Sequence, residues 1–279
     1  MTSFKQKSIL SFLILLFSSN IFFSQTFNLQ TIPCEKTQIG FSFEKQFFDE
    51  DIDPNFLTGI YQIDLNFPIS PSLNIISNIQ FLNLKYDADF GYRTYTFSES
   101  GFGNVFFGLQ TNPEIENNRR SIITFGLYLP TAEKEISLLG AYSNYYDILK
   151  YISNSLGIYF NYAFHKSADE GLNYLIELGP NLLIPTKDTG ADTEILIHFG
   201  GGLAYQVNRL SINAEFLGIA IVSEETDNFG DRFVNSINIG AQWKEETVVP
   251  EIYYRYCFKD DIREGIKGVL GLGVNIIIK

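Results

Sequence analysis

The chain has 279 residues, a formal net charge of −12 and 15% aromatic residues, nearly all of them Phe and Tyr. This length suits one domain, because all-β barrels of about 200–250 residues commonly form a single unit. The acidic balance argues against a nucleic-acid partner, since phosphates are bound by Lys and Arg.

The N-terminus has the order of a secretory signal peptide. Lys5 and Lys7 precede an apolar stretch from Ile9 to Phe23, and polar residues follow up to Gln25. A membrane-spanning helix needs about 20 apolar residues, whereas this stretch offers only about 15. We therefore predict a cleaved signal peptide over 1–25, a periplasmic N-terminal segment over 26–36 and a single domain over 37–279.

The remainder alternates between apolar and polar residues with a period of two, which is typical of half-buried strands. For example, Leu156, Ile158 and Phe160 fall on one face, while Gly157 and Asn161 fall on the other. This pattern predicts strands at 37–46, 56–68, 73–85, 101–110, 121–130, 153–164, 172–185, 194–206, 209–222, 232–244, 248–258 and 266–279.

Strand length and loop length together predict a membrane barrel. Most segments run to about 10–13 residues, which matches the 9–11 that a tilted strand needs to cross a bilayer. Short turns are predicted at 69–72, 165–171, 207–208 and 245–247, with a somewhat longer turn at 111–120. Longer loops are predicted at 47–55, 86–100, 131–152, 186–193, 223–231 and 259–265. Outer-membrane barrels have short periplasmic turns and longer outer loops. We predict an all-β transmembrane antiparallel up-and-down β-barrel of about 12 strands in a Gram-negative outer membrane.

Two of the predicted outer loops are rich in aromatic residues. Loop 86–100 combines them with acidic residues, and loop 131–152 combines them with Leu and Ile. Loop 131–152 could fold over the mouth of the barrel or contact lipid headgroups. We favour an aromatic girdle at the strand ends, which is common in such barrels.

Alternation also predicts which side chains line the lumen. Charges on the lipid face are costly, so charged strand residues are expected to point inward. The candidate lumen-lining residues are Asp64, Tyr159, Glu177, Glu194, His198, Glu215, Glu251, Arg255 and Lys267. They form either an acid-lined path or an ion-paired interior. We favour the filled interior, because about 12 strands enclose less space than the 16–18 of open porins.

Neither metal nor catalytic chemistry is indicated. The two histidines, His165 and His198, have no converging ligands in the sequence pattern. No serine and histidine pair appears in the arrangement used by barrel phospholipases. We predict no catalytic residues, no metal, no cofactor and no enzyme activity.

An acidic run at 49–54 has partial resemblance to a calcium loop. Asp49, Asp51 and Asp53 have the spacing of the first ligands of an EF-hand. Pro54 occupies the position of the required glycine, and Ile60 that of the final glutamate. The run is better interpreted as a solvated acidic loop, although divalent ions could bridge it to lipopolysaccharide.

The two cysteines are predicted to be free thiols. Cys34 precedes the first strand, and Cys257 lies near the opposite end of the eleventh. One strand length separates them by roughly 25–30 Å, whereas a disulfide needs Cα atoms within about 7 Å. A bond would require residues 26–36 to thread through the lumen.

Two neighbouring motifs resemble a known family. S-G-F-G-N-V-F-F-G-L at 100–109 and F-G-L-Y-L-P-T at 125–131 resemble strand motifs of the meta-pathway phenol-degradation family of outer-membrane barrels. Ala132 stands where the second motif would end in glycine, and Lys279 ends the chain where many barrels have an aromatic residue. The resemblance implies a barrel that passes small hydrophobic molecules, and it implies no catalytic residues.

These observations predict a channel or transporter for small solutes, hydrophobic ones among them. The alternative is a non-transporting barrel that serves as surface structure or binds partners through its outer loops. Expected partners are outer-membrane lipid and lipopolysaccharide, the barrel assembly machinery and a small-molecule solute. The solute itself is not specified by the sequence.

Overall fold

The computed structural model describes residues 35–49, 55–89, 94–166, 170–187, 192–223 and 232–278. The predicted signal peptide, Cys34, most of segment 26–36 and most of the acidic run 49–54 lie outside these residues. The strands are β1 (Thr37–Phe48), β2 (Gly59–Ser70), β3 (Leu73–Asp89), β4 (Thr94–Phe102), β5 (Phe106–Thr111), β6 (Arg119–Tyr128), β7 (Ser155–Lys166), β8 (Gly171–Pro185), β9 (Glu194–Val207), β10 (Leu210–Ile221), β11 (Phe233–Trp243), β12 (Val248–Cys257) and β13 (Ile266–Ile278).

Twelve of these strands form a closed antiparallel ring. Sequential neighbours pair from β5 to β13, β13 pairs with β1, and the ring closes through β1–β2, β2–β3 and β3–β5. The extra strand, β4, pairs with the part of β3 nearest the long loops. The prediction of a 12-stranded up-and-down barrel is therefore confirmed.

The barrel has a turn end and a loop end, named here for the connections found at each. Asn117 and Asn118 occupy the turn before β6 with φ of 51° and 62°, a left-handed conformation that asparagine tolerates well. Asn208, with φ of 52°, does the same in the tight turn between β9 and β10. These local conformations allow the two-residue hairpins that hold neighbouring strands in register.

The outer surface of the ring is apolar, as the alternation predicts. Phe160 and Leu272 are 38% and 46% exposed, whereas Tyr159, His198 and Gly271 are buried. Exposed apolar side chains on the strands together form a belt suited to lipid contact. Along β7 and the central parts of β9 and β13, the inward and outward faces are therefore those that the sequence predicts.

The region predicted as loop 86–100 is instead mostly strand, so that prediction is wrong. β3 runs on to Asp89, and β4 begins at Thr94. Asp87 accepts hydrogen bonds from Lys85 Nζ at 2.7 Å and from Thr96 Oγ1 at 2.5 Å, and Thr96 is its cross-strand partner. Pairing between strands extends this hairpin beyond the point where hydrophobic alternation fades.

The connection between β6 and β7, residues 129–154, turns into the barrel, and we call it the inward loop. It contains α1 (Ser137–Ser143) and a 3₁₀ helix (Ile148–Lys150). Ile136, Tyr145 and Tyr151 are buried, whereas Leu138 is 85% exposed. The aromatic girdle predicted for this loop is therefore wrong: its aromatic side chains pack inward because the lumen wall beside them is apolar.

One further helix occurs in the described residues, and it is short. It is α2 (Asp260–Arg263), in the connection between β12 and β13. Among the described residues, no helix combines the length and the apolar character needed to cross a membrane.

Candidate functional site

The lumen wall changes character along the barrel. Near the loop ends of their strands, the inward side chains are apolar and pack in two clusters with Ile136, Tyr145, Leu149 and Tyr151 of the inward loop. These wall residues are Phe48, Ile60, Leu82, Leu84, Phe106, Leu183, Leu196, Ile219, Ile266 and Val269. An apolar wall is unusual for a barrel whose interior normally faces water.

Toward the turn end the wall is mixed: Ile122, Ala163, Leu175 and Ala204 form a small apolar cluster, and carboxylates elsewhere are held by side-chain amides. Asp64 accepts from Gln62 Nε2 at 2.8 Å and from Asn78 Nδ2 at 2.6 Å. Glu215 Oε2 accepts from Asn238 Nδ2 at 3.2 Å. Hydrogen bonds of this kind offset the cost of taking a carboxylate out of water.

The same arrangement recurs on other strands. Glu177 Oε2 accepts from Asn161 Nδ2 at 3.1 Å, and Glu251 Oε2 accepts from Gln242 Nε2 at 2.7 Å. We call Asp64, Glu177, Glu215 and Glu251 the carboxylate belt. Glu177 and Glu215 are each less than a tenth exposed, so side chains fill much of this part of the lumen.

His198 continues the network from Glu177. Its Nε2 lies 3.1 Å from Asn161 Oδ1, and its ring stacks on Tyr159 with centroids 4.9 Å apart. Because Asn161 Nδ2 donates to Glu177, Asn161 Oδ1 is the acceptor and the histidine proton lies on Nε2. Gly179 leaves room for the His198 ring in this position, since a Cβ at residue 179 would stand 2.6 Å from His198 Cε1.

A second cluster joins the wall to the inward loop, and we call it the latch. Glu44 on β1 accepts from Arg255 at 3.1 Å and from the Tyr253 hydroxyl at 2.5 Å, both on β12. The Tyr146 hydroxyl of the inward loop also donates to Glu44. The Arg255 guanidinium lies 3.3 Å from the centroid of the Tyr146 ring, a cation–π contact.

The inward loop carries its own ion pair. Lys150 Nζ lies 3.4 Å from Asp147 Oδ2, and both side chains are almost completely buried. Lys150 also donates to Gln62 Oε1 at 3.0 Å, and Asp147 accepts from the Tyr128 hydroxyl at 3.0 Å. Burial raises the pKa of the Asp147 carboxyl above its ordinary value, while Lys150 acts in the opposite direction.

On the side of the inward loop away from the latch, Asn104 binds the loop. Its Nδ2 donates to Leu149 O and to Ile152 O, each at 2.8 Å, and its backbone N–H donates to Lys150 O at 2.6 Å. Its Oδ1 accepts from Ala132 N–H at 2.8 Å. Asn104 lies between β4 and β5, so one break in the strand supplies four hydrogen bonds to the loop.

The structure brings most of the candidate lumen residues into these networks. Asp64, Glu177, Glu215 and Glu251 form the carboxylate belt, Tyr159 and His198 stack beside it, and Arg255 belongs to the latch. Whether they line a solute path stays a prediction.

Two candidates lie elsewhere, at the loop-end rim. Lys267 is about half exposed and pairs with Asp49 at 2.7 Å. Glu194, the first residue of its strand, accepts from the Ser223 hydroxyl. The register of β1 and β13 shifts at Phe47–Phe48, beside Lys267, so simple alternation does not hold there.

Sequence reasoning did not single out Glu44, Asp147 or Lys150. Alternation along β1 places Glu44 on the same face as Gly40, and this pattern could have identified Glu44 as an inward-facing residue. Asp147 and Lys150 lie in a connection, where alternation carries no information. The available signal was their charge within an otherwise aromatic and apolar segment.

No cluster of possible metal ligands occurs within the described ranges. Cys257 is a free, buried thiol whose Sγ lies 3.6 Å from Asn235 O.

Comparison with solved structures shows the same fold in outer-membrane proteins. The COG4313 outer membrane channel from Pseudomonas putida F1 superposes with a TM-score of 0.63 at 11% identity, covering 92% of this chain and all of that chain. The NanC porin superposes with a TM-score of 0.53 at 8% identity, covering 87% of this chain and all of the porin.

Sequence comparisons identify no relatives. No family model matches the chain, so membership of the phenol-degradation family is not shown. No curated protein matches it either. The closed ring and its apolar outer belt define a membrane-type β-barrel, and the solved proteins that share this fold are outer-membrane proteins.

Proposed function

We propose that this protein is an outer-membrane channel or transporter for small, largely apolar solutes. The apolar lumen wall at the loop end is the observation that carries the proposal. A water-filled pore for polar solutes gains nothing from such a wall, whereas an apolar solute is stabilised by leaving water there. The inward loop occupies this wall with side chains of Leu, Ile and Tyr, which are the size of a small apolar solute.

The proposal includes the setting that the sequence predicts. The chain is exported with cleavage of residues 1–25, is inserted by the barrel assembly machinery, and lies among outer-membrane lipid and lipopolysaccharide. Its structural neighbours include an outer-membrane channel and a porin, which agrees with transport as the general class.

Uptake measurements test the apolar wall directly. Cells whose outer membrane carries the protein should accumulate a radiolabelled small aromatic hydrocarbon faster than cells without it. Leu196→Asn places an amide in the apolar wall and should slow this uptake. Ile122→Asn is the matched control, because Ile122 is also fully buried but belongs to a different cluster. Equal uptake with and without the protein would reject the proposal.

The filled interior favours a second candidate, a non-transporting barrel that binds partners or serves as surface structure. Much of the carboxylate belt and the inward loop are buried, so side chains fill much of the described lumen. Planar-bilayer recordings with the purified protein discriminate the candidates. A transporter should show conductance events or solute-dependent current, whereas a purely structural barrel should show neither.

A further inference from the structure

We propose that the inward loop is a gate that is hinged at Asn104 and latched by Tyr146 to the Glu44–Arg255 pair. This inference rests on the proposed function, for which it supplies the opening mechanism. It predicts that the loop separates from β1, β2 and β12 while keeping its contacts to Asn104.

The two sides of the loop are held differently. At the hinge, all four contacts of Asn104 are hydrogen bonds to loop backbone, and the ends of the loop continue into β6 and β7. At the latch, Tyr146 contacts Glu44 and Arg255 through its side chain. Rotation of the Tyr146 side chain releases the latch, whereas rotation of the Asn104 side chain still leaves the Asn104 backbone N–H bonded to Lys150 O.

The buried charges are divided between loop and wall in a way that permits separation. Glu44 and Arg255 both lie on the wall, and Asp147 and Lys150 both lie on the loop. Removing a single partner from a buried ion pair leaves an uncompensated charge and is strongly unfavourable. Movement of the loop breaks neither of these pairs, because each charge keeps its partner.

On the latch side, the polar contacts from the loop are made by Tyr142, Tyr146 and Lys150, and water can replace each of them. When Tyr146 leaves, Glu44 keeps the Arg255 guanidinium and the Tyr253 hydroxyl as donors. When Lys150 leaves, it frees Gln62, a neutral amide. The apolar wall is then left without a covering, so an apolar solute that fills it favours the open state.

Neighbouring tyrosines provide a matched test of the latch. Tyr146→Phe removes the hydroxyl that donates to Glu44 and keeps the ring that contacts Arg255. Tyr145→Phe makes the same chemical change one residue earlier, where the hydroxyl has no hydrogen-bond partner among the described residues. Both variants keep the volume and aromatic character of the loop.

Opening of the inward loop can be measured without a transport assay. Ser143 is completely buried in α1, so Ser143→Cys, in a background with Cys34→Ser and Cys257→Ala, reports loop movement through its reaction with a thiol reagent. The mature protein in lipid vesicles should label slowly with this cysteine alone. Adding Tyr146→Phe should raise the rate about 10- to 100-fold, the factor for losing one hydrogen bond to a charged group. Adding Tyr145→Phe should change it less than threefold.

The outcomes separate the gate from the proposed function. Equal labelling rates for the Tyr146→Phe and Tyr145→Phe proteins would overturn the latch, whatever the protein transports. Faster labelling with Tyr146→Phe, but without any solute uptake, would support the moving loop and reject the transporter. Asn104→Ala checks the hinge: it should expose Ser143→Cys and also make the loop sensitive to protease, which Tyr146→Phe should not.

Discussion

The Tyr253 hydroxyl donates to Glu44 Oε1 at 2.5 Å, although β13 lies between the strands that carry them. Gly271 is the residue of β13 that pairs with both, and a Cβ there would stand 2.0 Å from Tyr253 Cζ. The missing side chain at Gly271 therefore lets a residue of β12 reach one of β1 across the intervening strand.

Gly271→Ala should consequently destabilise the barrel by about 1–3 kcal/mol, the usual cost of forcing extra atoms into a packed interior. Unfolding in urea from lipid vesicles, followed by gel mobility, measures this. Gly201→Ala is the control, because its Cβ would meet only Leu175 O at 3.8 Å. Equal losses at both sites would contradict the role assigned to Gly271.

The lipid face of β13 can be tested with a charge. Leu272→Arg should cost about 2–4 kcal/mol if the residue lies near the membrane midplane, because arginine is poorly tolerated there. Leu138→Arg, at a position 85% exposed on the inward loop, should cost little. Refolding yields and unfolding midpoints in vesicles measure both, and an unaffected Leu272→Arg barrel would mean that this face does not meet lipid.

Orientation in the membrane is a prediction that a tag can test. We expect the loop end to face the cell exterior, since longer loops are external in such barrels. Leu138 is a suitable insertion site within the inward loop, because its side chain is 85% exposed, whereas Ser143 in the same helix is buried. An epitope there should be labelled on intact cells. Labelling only after the outer membrane is ruptured would reverse the orientation.

Lys244 should make stability depend on pH. It follows β11 at the turn end, and burial lowers its pKa from 10.5 to about 8. Below about pH 8 the lysine is charged in both states, so the folded barrel bears the full penalty of burying that charge. As the pH rises from about 8 to 10.5, the folded state loses the charge first, and the penalty disappears.

Lys244→Met should therefore stabilise the barrel at pH 7, and its advantage over the unmodified protein should shrink between about pH 8 and 10.5. Urea unfolding at several pH values measures the difference. Lys187→Met, at an exposed position, should show no such trend. An advantage that is constant with pH would contradict the burial of this ammonium group.

The cysteines should remain unbonded in the mature protein. Cys257 is only 1% exposed, so alkylation of the folded protein should miss it. Alkylation after denaturation without reductant should modify both Cys257 and Cys34, as mass spectrometry can detect. A Cys34–Cys257 disulfide would instead place the segment before β1 inside the lumen.

The local alternation of apolar and polar residues was enough to predict most strands of the barrel wall. The predicted strands match the observed ones within a few residues for the segments from β6 to β13, because each residue alternates between lipid and lumen whatever its distant neighbours are. One exception is the β3–β4 hairpin, where pairs such as Asp87 and Thr96 continue the strand beyond its hydrophobic segment. Another is the predicted strand 101–110, which a break at 103–105 divides between β4 and β5.

The sequence by itself determined the barrel, its strand number and the face on which Tyr159, Glu177 and Glu215 lie, since these depend on a period of two. Tertiary structure alone decided that Tyr146 meets Glu44, 102 residues away, and that the inward loop fills an apolar wall. Such contacts depend on how the closed ring staggers its strands and on where a connection folds. Neither leaves a periodic signal, because the partners come from separate strands and loops that only closure of the barrel brings together.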